Sequence, residues 1–231
     1  DGQLQWRGEA TLRGASAERS VGTSALVEGE YGPIGMLLGM SLGHTGQLVA
    51  GGDLGTQRFT GYGDRAVSAR GVLRPAPAHR LGVAFHSSAL TDAPRPDLST
   101  ATDARVFRLQ QRDLGYLTYT YRSGGWIVNG RAGAIVRTEY RDRFREGRVD
   151  VERDQVLTWV GGVQATLRAR GARFTAGVEA SLDDVASGTV TARSGRPEEA
   201  SRGRYVDGST YLSGGVYALY QQAVGARFLA E

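Results

Sequence analysis

The side chains that most often carry catalysis or metal binding are sparse in this sequence. His44, His79 and His86 are its three histidines, and their spacing matches no metal motif. There is no cysteine, which excludes disulfides, zinc–thiolate centres and thiol nucleophiles. Gly51-Gly52-Asp53-Leu54-Gly55 echoes a glycine-rich phosphate loop. It lacks the following Lys-Ser/Thr pair and the helix that would supply a dipole. No Gly-x-Ser-x-Gly nucleophile elbow occurs. Asp183-Asp184 offers two adjacent carboxylates without the spacing of a calcium loop. The expectation is a protein that is not an enzyme, with no cofactor and no metal.

What remains is arginine, glutamate and tyrosine. All 28 basic residues are arginine, and the formal net charge is +4. No basic run with interleaved aromatics is present, so a nucleic-acid partner is not expected. Arg7, Glu9, Arg131, Arg137, Arg168, Arg173 and Glu179 each stand at alternate positions beside apolar neighbours. They are expected to face water in a lumen, where a charge costs almost nothing.

The elements that must hold them are strands. From Leu4 every second residue is apolar or small: Leu4, Trp6, Gly8, Ala10, Leu12. The intervening set is Gln5, Arg7, Glu9, Thr11 and Arg13. This period of two recurs in most apolar segments, with charges often on the polar side. It suits a strand with hydrocarbon on one face and water on the other. Leu38, Met40, Val83, Phe85, Leu117, Tyr119, Trp159, Val163, Leu167, Phe174 and Val178 are expected to face lipid. The 34 glycines disfavour long helices, and no apolar run reaches the eighteen or so residues of a membrane-spanning helix.

Turn signals divide the chain. Short ones lie at 31–33, 75–79, 123–125, 170–171 and 223–225, and long polar loops are expected at 43–65, 88–106, 138–154 and 183–209. A shorter first connection lies near 15–20. Ten strands of about 10–15 residues follow, with an eleventh beginning at Arg227. Trp6, Tyr31, Tyr121, Trp126, Trp159 and Tyr220 fall near strand ends, where interfacial girdles form. The expected fold is all-β: a transmembrane antiparallel β-barrel, with residues 1–231 forming a single segment, part of a larger barrel.

One stretch carries a family pattern. Tyr31-Gly32-Pro33-Ile34-Gly35 opens it, followed by a hydrophobic strand and Gly51 to Tyr62, which ends in Thr60-Gly61-Tyr62. Pro77 to His86 contains His79-Arg80-Leu81, Asp92 to Pro96 contains Pro94-Arg95-Pro96, and Gln110 to Tyr116 contains Arg112-Asp113-Leu114-Gly115-Tyr116. This order resembles the barrel portion of TonB-dependent outer-membrane receptors. No segment resembles that family's plug or TonB box. The family's barrels have 22 strands, so ten or eleven is about half of one. The expectation is a fragment, a split protein, or a sheet completed by another chain.

The resemblance implies energised ligand uptake in the cell outer membrane. It implies lipid, further strands or another chain, a plug and TonB as partners. Ligand contacts would come from the long loops, through Arg58, Tyr62, Arg95, Tyr140, Arg143, Arg193 and Tyr205, whose types suit stacking and charge-assisted hydrogen bonds. Three readings compete. One is a structural or interaction subunit of a multi-chain outer-membrane complex, without transport. Another is a passive pore, and the third a soluble β-sandwich.

Overall fold

A computed structural model describes residues 3–49, 51, 55–57, 59–95, 103–194, 199–224 and 228–230. These form one antiparallel sheet. Its first strands are β1 (Gln5–Ala15), β2 (Ser20–Tyr31), β3 (Ile34–Thr45) and β4 (Tyr62–Ala76). Then come β5 (His79–Pro94), β6 (Asp103–Ser123), β7 (Trp126–Arg145) and β8 (Arg148–Ala169). β9 (Ala172–Arg193), β10 (Glu199–Arg202), β11 (Ser209–Val224) and β12 (Phe228–Ala230) complete it. Each strand from β1 to β9 pairs with its sequence neighbours, then β9 pairs with β11 and β11 with β12. The four-residue β10 folds back on β9. The sheet is open: among the described residues β1 contacts β2 alone.

Local chemistry explains the hairpins. Gly124 and Gly125 both have positive φ, 56° and 85°, as the tight β6–β7 turn requires. Arg170-Gly171 repeats that conformation at 48° and 79° between β8 and β9. The two-residue connections at 32–33, 77–78, 124–125 and 170–171 fall on one rim.

The opposite rim corrects the loop expectations. The stretch 138–154 is not a long loop: β7 and β8 run through it and turn at 146–147. β5 continues to Pro94 and β6 starts at Asp103, leaving 95–102 between them. β9 reaches Arg193, so 183–209 is mostly strand plus the β10 fold-back. Strand length therefore grows from 11 residues in β1 to 22 in β8 and β9, beyond the expected 10–15. The reason is that ladder pairing does not need an apolar face. Past Glu139 one face is lined by arginines and carboxylates, and ion pairs across strands replace apolar contact there.

The register assigns the faces. Cross-strand partners share a face, and the row Ala69–Phe85–Gly115–Ala134–Trp159–Leu182–Leu212 is apolar throughout. So is the row Leu73–Leu81–Tyr119–Gly130–Val163–Val178–Val216. All eleven side chains expected to face lipid lie on this one side: Leu38, Met40, Val83, Phe85, Leu117, Tyr119, Trp159, Val163, Leu167, Phe174 and Val178. Charge first enters that side at Arg65, Asp113 and Asp184, toward the long-strand rim.

The strands are staggered. Following partners from Trp6 through Gly29, Met36, Gly71, Val83, Leu117, Ala132, Gly161 and Ala180 leads to Gly214. Trp6 lies one residue from the start of β1 and Gly214 ten from the end of β11, so the row climbs nine residues in nine steps. One residue of rise (about 3.3 Å) per strand spacing (about 4.8 Å) tilts strands roughly 35° from the normal to the short-turn rim, the tilt found in barrels.

The usual relation of burial to polarity is inverted. In β3 the apolar set Ile34, Met36, Leu38, Met40 and Leu42 is exposed, while Leu37, Gly39, Ser41 and Gly43 opposite are half-buried. Leu117 is 60% exposed, and Trp159 and Val163 are each 53% exposed. Ala89 and Val185 are the buried apolar side chains among the described residues, against Asp142, Asp150, Asp154, Thr166, Thr175, Ser187 and Thr191 among polar ones.

Candidate functional site

The polar face divides at the row Asp64–Leu90–Gln110–Glu139–Asp154. Toward the long-strand rim it carries a dense ion-pair network built on β6 to β9. Arg141 Nη2 reaches Glu152 Oε2 at 2.6 Å and Asp154 Oδ2 at 2.9 Å. Ser187 Oγ donates to Asp154 Oδ1 at 2.5 Å. Arg143 Nε donates to Asp103 at 2.8 Å, and Arg145 pairs with Asp150. Arg148 Nε and Thr191 Oγ1 reach the same Asp150 oxygen at 2.6 and 2.7 Å. Hydrogen bonding from Arg143 holds the Asp103 carboxyl below its ordinary pKa, and Asp103 in turn raises that of Arg143. Burial works against the Asp150 carboxylate, yet hydrogen bonds from Thr191, Arg145 and Arg148 overcome it and lower its pKa.

The network answers a register problem. Arg145 stands directly opposite Arg148, and Arg105 directly opposite Arg143. Like charges at such positions repel. Asp150 bridges the first pair, and Asp103 lies against both arginines of the second.

Below the dividing row the polar face of β4 to β8 is different. It carries Arg70, Arg80, Arg112, Arg122, Arg131, Arg137 and Arg168, and no carboxylate. Arg131 pairs with Glu179 of β9 at 2.6 Å. Arg7 pairs with Glu28 at 2.5 Å on the β1–β2 hairpin, and Glu9 lies on the same face. The expected lumen set, Arg7, Glu9, Arg131, Arg137, Arg168, Arg173 and Glu179, shares this face.

The expected ligand residues are not brought together as one loop cluster. Tyr140 and Arg143 are strand residues of β7, and Arg143 is occupied by Asp103. Tyr140 lies on the other face, under the Arg153 guanidinium at 5.2 Å. Tyr62 opens β4, Arg193 closes β9, and Arg95 follows β5 with its guanidinium 5.8 Å from the Phe107 ring. Tyr205, between β10 and β11, donates its backbone N–H to Ser187 Oγ at 3.1 Å. Arg58 lies outside the described residues. Asp183 and Asp184 belong to β9 and point to opposite faces, so they cannot grip one cation.

The short-turn rim of the apolar face gathers aromatic rings. Tyr121 and Trp126 flank the β6–β7 turn, with Phe174 and Tyr220 further along the rim. His79 Nδ1 and Tyr119 Oη are 2.7 Å apart, which satisfies both polar tips. Trp159 lies in mid-strand, one row short of the charges at Asp113 and Asp184, so it marks the far edge of the apolar band.

The Arg112–Arg137 pair escapes sequence reading because β6 and β7 must be paired before the two arginines meet. No protein-family model matches this sequence, and no curated protein is similar to it.

Proposed function

We propose that the chain forms part of an outer-membrane β-barrel that carries a ligand across the membrane, with energised uptake as in the TonB-dependent receptors it resembles. The inverted faces carry this reading. The accessible surface is 15642 Å². A soluble protein of 24.7 kDa exposes roughly 10,000 Å². An open sheet exposes both faces, and the apolar one is a surface that water would not tolerate on a monomer. A hollow of about 800 Å³ on that face, lined by Met36, Leu73, Leu81, Val83, Leu117 and Val163, suits acyl chains.

Dimensions agree. From Phe174 to Leu182 the apolar side of β9 carries no charge. Those eight steps cover about 26 Å along the strand and about 21 Å along the membrane normal at the tilt above, near the ~25 Å apolar band of outer-membrane barrels. The free edges, β1 on one side and β11 with its short partner β12 on the other, cannot meet lipid with unpaired backbone groups. Closure by further strands or another chain is therefore part of the proposal.

Gel migration of unheated and boiled protein, extracted in mild detergent, tests it. A closed membrane barrel runs faster unheated than boiled. Protein that dissolves without detergent and migrates alike in both lanes would overturn the proposal.

A further inference from the structure

Two pairs of arginines on the polar face stand opposed with no carboxylate between them. Arg112 faces Arg137 across β6–β7, and Arg168 faces Arg173 across β8–β9 near the short-turn rim. Like charges placed this way repel. Where the same arrangement occurs beyond the dividing row, the protein supplies the anion itself: Asp150 for Arg145 and Arg148, Asp103 for Arg105 and Arg143. For these two pairs it does not. All four of these arginines are exposed. Arg112 and Arg137 border a hollow of about 340 Å³ with Ser88 and Gln110, whose side chains can donate to an oxyanion, and with the carboxylates Asp64 and Glu139 of the dividing row. Between the two pairs lies Arg131, held by Glu179; Arg80 and Arg122 stand at the short-turn rim and Arg70 on β4 of the same polar wall.

We infer that the β4–β9 wall is a path for anionic solutes, entered at Arg112–Arg137 and left at Arg168–Arg173. Rings and ladders of arginine select anions by complementing their charge and presenting forked donors. Several such sites in series hold an anion loosely enough for it to move on. This rests on the transport reading and names the substrate class: a small oxyanion or a ligand bearing carboxylate or phosphate groups.

Reversal potentials in planar bilayers, under a KCl gradient, test the inference on the native detergent-extracted protein. Wild type should prefer chloride to potassium. R112Q/R137Q should lower that preference by about fivefold, and R112K/R137K should keep it. A preference for potassium, or an unchanged ratio in the glutamine variant, overturns the inference. If the lumen is closed and no current flows, the ³¹P line width of inorganic phosphate replaces the reversal potential. Wild type and the lysine variant should broaden the line and the glutamine variant should not; a sharp line with wild type overturns the inference. Failure to insert into bilayers would instead remove the transport reading itself.

Discussion

The same strands make two kinds of sheet. Below the Asp64–Asp154 row, β6 to β9 keep one face apolar as far as Asp113 and Asp184 and the other lined mainly by arginines. Beyond it the apolar face takes on Arg153 and Asp142, and the polar face becomes a lattice of arginines and carboxylates. Backbone pairing continues without a break through both regions from β7 to β8. The difference teaches that the ladder sets strand length while the surroundings select side chains. On the proposed reading hydrocarbon selects the first region. In the second, cross-strand ion pairs do the holding that a core would do elsewhere.

The largest test of this contrast moves one charge along one strand. Val163→Arg places it within the apolar band and should cost about 2–4 kcal/mol of folding stability in a bilayer. Gln155→Arg sits on the same face of β8, beyond the band, and should cost at most about 1 kcal/mol. Urea titration of refolding into lipid vesicles measures both. Equal penalties would break the contrast.

Next in size is the bridge at Asp150, whose side chain is 5% exposed. Asp150→Asn leaves Arg145 and Arg148 opposed without their anion and should destabilise the β7–β8 tip by about 1–3 kcal/mol. Hydrogen exchange should quicken in residues 140–155 and stay unchanged near Val163. Faster exchange throughout β8 would show that the two regions are one cooperative unit.

Acid should separate the regions as well. Asp103 and Asp150 both have lowered pKa values in the folded state. A lowered carboxylate stabilises above its unfolded pKa, about 3.9, and that contribution is lost as pH falls through the folded value. Exchange at the strand tips should therefore rise below about pH 4, with the apolar band unaffected. Tips that hold unchanged to pH 2 would contradict the assigned bridges.

A smaller effect belongs to the polar face of β9 and β11. The Tyr217 ring lies over Gly177, where an added Cβ would sit 2.6 Å from it, and its hydroxyl donates to Gln164 at 2.8 Å. Gly177→Ala should lift the ring and cost about 0.5–1.5 kcal/mol, the worth of one hydrogen bond. A melting midpoint unchanged from wild type would count against that packing.

Much of this architecture is legible in the residues alone. The period of two from Leu4 to Arg13 gives face and strand together, because apolar or small and polar positions separate cleanly there. The glycine pair at 124–125 marks its turn by conformation. The strand extensions are not legible. Arg141-Asp142-Arg143 reads as a solvated loop, since its partners Glu152, Asp103 and Arg108 are distant in sequence or hidden by a register shift near Phe107. For the same reason the sequence nominates Arg143 for ligand contact when Asp103 already holds it. The opposed Arg112 and Arg137 exist as a pair only after β6–β7 pairing is known.

Which solvent touches the exposed face is the question on which all else turns, and the chain has no native cysteine to interfere with labelling. Single variants Val83→Cys, Leu117→Cys and Val163→Cys should carry a fluorophore quenched by brominated lipid and shielded from aqueous iodide, with Ser41→Cys and Gln164→Cys showing the reverse. Iodide quenching at Val83, Leu117 and Val163, with no effect of brominated lipid, would contradict a membrane-embedded sheet.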